Sequence, residues 1–237
     1  MAERRRLLLT RPEAASRRFL LACEKAWGGP VLAVLSPVMA IRPVEVRLEK
    51  PPAALVLTSE NGAVRAGELG LAPRVAWCVG PRTAAAAEQA GFQAIEAGPD
   101  AEALLAALLD ARPAGPLLHL RGEHARGEVV GRLRATGLDA WEVVAYRQEA
   151  LGPTPDARAA LDGPDPLVVP LFSPRSAALL EGWAPRAPLH VVALSPAVSE
   201  AARRLGPERL SVAYRSESGA MVEATLAALA SRGHGPA

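Results

Sequence analysis

Residues 55–91 read LVLTSENGAVRAGELGLAPRVAWCVGPRTAAAAEQAG, and the pattern returns at residues 168–206 as VVPLFSPRSAALLEGWAPRAPLHVVALSPAVSEAARRLG. In each copy an apolar run meets a serine and a helix-like stretch follows. A second apolar run then meets a proline, and a glycine closes the next helix. Ser59 maps to Ser173 (173 − 59 = 114) and Gly91 to Gly206 (206 − 91 = 115). The opening LLLTRPEAASRRFL is echoed by LLHLRGEHARGEVV, with Arg11 and Glu13 matched by Arg121 and Glu123. Two copies at a period of more than about 100 residues mean a duplicated unit and two similar lobes, because a solenoid stacks many short repeats.

Outward from this stretch the chain alternates strand and helix. Residues 7–9 form a short apolar strand, and Pro12 opens a helix whose Phe19, Ala22, Cys23, Ala26 and Trp27 share one face, before Gly28-Gly29 ends it. Residues 31–46 are extended and β-branched, but Pro37 and Pro43 exclude a regular central strand, so this segment reads as a strand that leaves its lobe as a linker. Strands are expected at 53–58, 75–79 and 93–96, with helices from Ser59 to near Gly70, from Gly80-Pro81 onward, and over 101–111 with Leu104, Leu105, Leu108 and Leu109 as its stripe. The second unit begins at 117–120, its helix ends at Gly137, and 140–148 is the counterpart of the first linker. Strands at 167–172, 190–194 and 210–213 and a helix over 219–230 complete the chain, about five strands to each unit. Apolar strands alternating with helices imply parallel sheets covered on both faces.

With 237 residues, each half has roughly 100 to 120, enough to bury its own core. Half the residues are apolar and 22% are charged, and Lys+Arg 27 against Asp+Glu 25 argues against a broad nucleic-acid footprint, which needs cationic residues concentrated on one face. The start MAERRRLLLT resembles a secretion signal only as far as Thr10-Arg11, where the apolar run stops. No later run has the length to cross a bilayer, so a cytoplasmic location without a membrane partner is expected. Cys23 and Cys78 have no paired spacing, which excludes a disulfide framework or zinc site and leaves two small buried hydrophobes.

Pro12, Pro81, Pro174 and Pro196 each follow a strand directly, and Ser59 follows another. Strand ends that pass straight into helix N-termini lie on one edge of an open α/β sheet, where amide hydrogens and partial positive charge favour anions. Taken singly, each such residue does no more than start a helix. Together they describe an edge suited to a ligand with several negative groups. No GxGxxG, Gly-Lys-Ser/Thr or GxSxG motif is present. His119 and His124 stand off the spacing of two ligands on one helical face, and a lone histidine beside a strand end is ordinarily packed or at the surface. The carboxylates form no acid/base pair. An enzyme built this way works without a metal, an organic cofactor or a strong nucleophile.

The segments LVLTSENGAV, CVGPRTAAAAEQAG, LHLRGEHARGEVVGRLRATGLDAWEVVAYR and LFSPRSAALL, in this order and spacing, resemble uroporphyrinogen-III synthase over nearly the whole chain. The resemblance implies two flavodoxin-like α/β lobes with parallel sheets flanked by helices, joined by a two-stranded extended connector, with a cleft between the lobes. It places 1–38 with 148–237 in one discontinuous lobe, 44–140 in the other, and 39–43 and 141–147 in the connectors. The implied reaction closes hydroxymethylbilane to uroporphyrinogen III with inversion of the terminal pyrrole ring through a spiro intermediate, with no cofactor. The substrate is a linear tetrapyrrole with eight carboxylates, passed on by transient hand-over from hydroxymethylbilane synthase to a monomer. Tyr146 matches the family's connector tyrosine, whose phenol can donate a hydrogen bond to the departing hydroxyl. Thr58, Ser59, Asn61 and Thr83, with Ser173, Pro174 and Ser195, fall on the substrate-binding strand ends. Arg11, Arg121 and Arg175 beside them are expected carboxylate partners. Two departures stand out: Ser195-Pro196-Ala197-Val198-Ser199 replaces the usual Gly-Pro-x-Thr-Ala, and Glu60 brings a carboxylate next to Ser59. The competing readings are a two-lobed binder of an anionic small molecule that does not turn it over, and a scaffold subunit.

Overall fold

In the computed structural model, which describes residues 5–71, 74–124, 127–215 and 218–231, the apolar runs become strands and the stretches between them helices. The chain begins with β1 (Arg6–Leu9), α1 (Glu13–Trp27), β2 (Ala33–Leu35) and β3 (Met39–Pro43). There follow β4 (Ala54–Leu57), α2 (Glu60–Glu68), β5 (Val75–Cys78), α3 (Gly80–Gln89), β6 (Gln93–Glu96) and α4 (Ala101–Ala111). Next come β7 (Leu117–Gly122), α5 (Val129–Ala135), β8 (Ala140–Ala150) and α6 (Pro155–Asp162). The last third holds β9 (Leu167–Leu171), α7 (Pro174–Glu181), β10 (Leu189–Ala193), α8 (Pro196–Ala202), β11 (Arg209–Val212) and α9 (Ser218–Ala230).

Two compact units result, one of residues 1–40 with 150–237 and one of residues 41–149. The first holds a five-stranded sheet in the order β11-β10-β9-β1-β2, parallel throughout. The second holds six strands in the order β3-β8-β7-β4-β5-β6, parallel from β8 to β6. Residues 39–43 are β3, and residues 141–147 lie within β8, which pairs along β7. Val44 N–H donates to Ala145 O at 3.0 Å and Leu151 N–H to Val38 O at 2.9 Å, so β3 and β8 run in opposite directions. Pro37 separates β2 from β3, as its missing amide hydrogen requires.

Superposing β9 on β4 and β1 on β7 makes the two orders coincide, β11-β10-β9-β1-β2 on β6-β5-β4-β7-β8. This is the correspondence that the sequence duplication draws between Ser173 and Ser59 and between Arg11 and Arg121. In both sheets the direction of winding reverses at this central pair, and a doubly wound sheet leaves a crevice at the carboxyl ends of the strands there.

The central strands are apolar without alternation because each face meets helices. In the second unit Leu55, Leu57, Leu118 and Leu120 pack with Ala63, Ala66, Ala84 and Ala87 of α2 and α3. Ala54, Val56 and Leu117 pack on the other face with Leu104, Leu105 and Leu108 of α4 and Val129 and Leu133 of α5. In the first unit Leu8, Val169 and Val191 pack with α6, α7 and α8, and Leu7, Leu9, Val168 and Val192 with α1 and α9. Complete burial of one such leucine contributes about 2 kcal/mol.

Three local expectations change. On α1, Ser16, Phe19 and Cys23 are buried, but Ala22, Ala26 and Trp27 are exposed, with Trp27 at 48%. Gly28 then ends the helix at φ 78°. On α4 the stripe is Leu104, Leu105 and Leu108, with Leu109 on its solvent margin. Periodicity gives no warning of α6, although Thr154-Pro155-Asp156 is a helix-start signature and the Thr154 hydroxyl accepts from Ala157 N–H at 3.3 Å. Among the described residues no helix is long and apolar enough to cross a membrane.

Candidate functional site

Thr58 and Ser59 follow β4 directly, at the point where the second sheet reverses its winding. Alternation along an extended backbone sends their side chains to opposite faces of the sheet. Ser59 caps α2 from an extended conformation (φ −157°, ψ 151°), and its Oγ accepts from Gly62 N–H at 3.1 Å. The same hydroxyl lies 2.8 Å from the phenol oxygen of Tyr146. Tyr146 is 8% exposed and enters the core shared with α2 and α3.

Its position depends on a β-bulge. The register between β7 and β8 slips after Arg121, so that Arg121 pairs with Val144 but Gly122 with Tyr146. A Cβ at Gly122 would stand 2.6 Å from Tyr146 Cε2, so only glycine leaves room for the ring. Arg65 of α2 holds the neighbouring backbone: Nε donates to Ala145 O at 3.1 Å and Nη2 to Val44 O at 3.0 Å, while Nη1 pairs with Glu68 at 2.9 Å. A cavity of about 180 Å³ opens beside Tyr146, lined by Ile41, Pro43, Asn61 and Arg65 among others.

On the opposite face Thr58 Oγ1 lies 3.2 Å from Nε2 of His119, which is 2% exposed on β7. Glu142 of β8 stands in register with His119, and its Oε2 is 4.0 Å from His119 Nδ1. The other carboxylate oxygen holds Arg121 Nη2 at 2.7 Å, and Arg121 Nη1 donates to the carbonyls of Gly122 and Glu123. Burial pushes the His119 imidazole down to about 4; Glu142 opposes this shift, and Arg121 adds to it. His119 is therefore neutral near pH 7, and its approach to Glu142 is not an ion pair there.

The corresponding edge of the first unit carries Arg11, Ser173, Pro174, Arg175 and Ser195. The Arg11 guanidinium lies 4.2 Å from the Phe172 ring centroid, and Phe19 meets the same ring edge-on at 5.2 Å. Ser173 repeats the Ser59 geometry (φ −152°, ψ 151°) and accepts from Ser176 N–H at 3.1 Å. Its second contact is the Ser176 hydroxyl at 2.8 Å, where Ser59 has Tyr146. Pro174 and Arg175 form the first turn of α7, and Ser195 caps α8 with a longer bond of 3.5 Å to Val198 N–H.

The structure thus gathers Thr58, Ser59, Asn61, Arg121 and Tyr146 around one strand-end pair, and Arg11, Ser173, Pro174 and Arg175 around its counterpart. Thr83 is 5% exposed in the first turn of α3, after β5, the strand that pairs with β4. Arg65, Gly122 and Glu142 have no place in the sequence expectation. His119 is packed, as a lone histidine is expected to be, yet it touches a candidate residue. The polar residue in the apolar run LLHL was the one visible signal of this contact.

A family model described as uroporphyrinogen-III synthase HemD matches residues 28–223. The chain belongs to the uroporphyrinogen-III synthase family. No curated protein sequence matches it. Among solved structures, the Helicobacter pylori 26695 uroporphyrinogen-III synthetase aligns with 84% of this chain and 93% of its own, at 15% identity and a TM-score of 0.65. A mutant uroporphyrinogen III synthase from the extremely thermophilic bacterium Thermus thermophilus aligns with 94% and 98% at 17% identity, with a TM-score of 0.49. The first of these likenesses shows a shared parallel α/β fold. Family membership makes the protein a cyclising lyase of tetrapyrrole and heme biosynthesis, which forms uroporphyrinogen III from hydroxymethylbilane, and does not favour a non-catalytic binder.

Proposed function

We propose that the β4–β7 edge receives the hydroxymethyl end of the linear tetrapyrrole and that Tyr146 is the catalytic residue. The observation that carries this reading is the 2.8 Å contact between Ser59 Oγ and the Tyr146 phenol. Ser59 already accepts from the Gly62 amide. If its own hydrogen goes to the phenol oxygen, the phenol O–H is free to donate to the substrate. The pyrrole nitrogen's electron pair expels the terminal hydroxyl, whose oxygen takes the Tyr146 phenol proton and leaves as water. The substituted α-carbon of the last ring attacks the exocyclic carbon. The spiro intermediate then breaks the bond from that α-carbon to its original methylene, and the ring's unsubstituted α-carbon attacks the freed methylene and returns its proton to the phenolate, which closes the macrocycle with the ring inverted.

Hydroxymethylbilane closes unaided to the type I isomer, so the enzyme's task is to favour one of two closures by holding the chain in one geometry. Thr58 and Asn61 beside Tyr146 are proposed to hold the reacting end. Arg11, Arg121 and Arg175 are proposed partners of the substrate carboxylates, with Thr83, Ser173, Pro174 and Ser195 at the helix starts. The tendency to close spontaneously also favours transient hand-over from hydroxymethylbilane synthase to a monomer of this chain.

The test supplies freshly generated hydroxymethylbilane to the purified protein and resolves the uroporphyrinogen isomers after oxidation. Type III is expected above a no-protein control. Type I alone, at the uncatalysed rate, would overturn the reading.

A further inference from the structure

The first four residues of β7 are buried and apolar except one: Leu117, Leu118 and Leu120 are fully enclosed, and His119 lies among them at 2% exposure. An imidazole there forfeits its hydration, and Nδ1 has no hydrogen-bond partner among the described residues. A leucine would fill the same face without that cost. What the histidine adds is its contact with Thr58, and Thr58 stands one residue before Ser59 at the end of β4. The two adjacent hydroxyls are therefore held from opposite faces of the sheet, Ser59 by Tyr146 and Thr58 by His119.

The neighbours decide which way the hydrogen in the second contact points. A neutral imidazole carries one N–H. The Glu142 carboxylate, 4.0 Å from Nδ1 and itself held by Arg121, favours a hydrogen on Nδ1 and disfavours a lone pair there. Nε2 is then the unprotonated nitrogen facing Thr58 Oγ1, and it can only accept.

Building on the reading that Thr58 touches the substrate, we propose that His119 is a positioning residue that takes the Thr58 hydroxyl hydrogen and leaves the oxygen lone pairs to accept from a donor group of the tetrapyrrole. Thr58 is then no ligand for a carboxylate, which offers only acceptors. It selects the N–H and O–H edge of the bilane, while Ser59 serves Tyr146. This sorts two neighbouring hydroxyls into different tasks and helps to fix which edge of the reacting end faces the catalytic phenol.

The experiment combines nitrogen-15 NMR of the histidine ring with kinetics. In the wild type, Nε2 of His119 is expected at the shift of an unprotonated nitrogen and Nδ1 at that of a protonated one. The opposite tautomer would overturn the proposal. His119→Leu is expected to lower kcat/KM for type III formation about tenfold, with an unchanged or raised Tm. His119→Gln, whose amide oxygen reaches the same place, should stay within about threefold of wild type. Combining Thr58→Val with His119→Leu should be no worse than Thr58→Val alone, because both remove one contact. If Thr58→Val has wild-type kinetics, Thr58 does not touch substrate, and both that reading and the proposal fall. If Thr58→Val is impaired and His119→Leu is not, the proposal alone falls. A His119→Leu variant that loses Tm along with activity, and is not matched by recovery in His119→Gln, has a structural histidine and also overturns it.

Discussion

Tyr146 is placed by three contacts of different kinds: a hydrogen bond with Ser59, the space left by Gly122, and a backbone held by Arg65. Tyr146→Phe keeps the ring in that space and removes only the hydroxyl. Its kcat is expected to fall about a hundredfold, the lower range for a lost proton donor, with KM changed much less. Steady-state kinetics with unchanged kcat would deny the phenol a direct part. His119 makes a second prediction. Its imidazole protonates near 4 in the folded protein against an ordinary 6.5. Between those values the unfolded chain binds the additional proton, so stability falls as pH drops from 6.5 towards 4 and is unaffected above that window. The loss is up to about 1.4 kcal/mol per pH unit. Tm measured at pH 7 and pH 5 should drop further in the wild type than in His119→Gln, and equal drops would contradict this account. Ser59 was legible in the sequence because a serine that caps a helix is a local signature. Gly122 was not, since its partner across the bulge lies on another strand.

Among the secondary-structure elements, α2 does more than cover the sheet. Gly62 lets it approach β7 so closely that a Cβ there would stand 2.9 Å from Leu120 O, and Arg65 ties it to the backbones of Val44 and Ala145. Arg65→Met keeps the aliphatic stem and leaves those carbonyls without the guanidinium. The expected cost is about 2 kcal/mol, with faster amide exchange concentrated in β3 and β8. Arg65→Lys should not restore protection, because one ammonium cannot span both carbonyls as the planar fork does. Uniform exchange rates in Arg65→Met would show that the edge is held by its ladder alone. The alternation of strand and helix was legible from apolar runs and their Gly, Pro and Ser boundaries. α6 escaped because its first turn follows an irregular stretch with no apolar strand to announce it.

For the whole molecule, the unit of residues 41–149 is contiguous in sequence and contains both of its cores. A fragment of residues 41–150 is expected to fold alone, with dispersed amide resonances and a cooperative thermal transition, but to form no type III isomer above background. The first unit is assembled from two distant pieces, and its central pair joins β1 to β9. The fragment 1–40 is therefore expected to stay unfolded by itself. A featureless spectrum from 41–150 would mean that the second unit depends on the first.

By itself the sequence determined the doubled unit, the parallel α/β class, the helix-starting residues at the strand ends and the family. These rest on local chemistry and on order along the chain: apolar runs, capping hydroxyls, prolines and their recurrence. The tertiary structure alone decided that Thr58 and Ser59 face opposite partners, that Tyr146 stands opposite a glycine, and that a histidine in an apolar strand meets a hydroxyl across the sheet. Such contacts depend on the register between strands far apart in the chain, with Thr58 and His119 separated by 61 residues and Ser59 and Tyr146 by 87. A slip of one residue would turn each of these side chains to the other face.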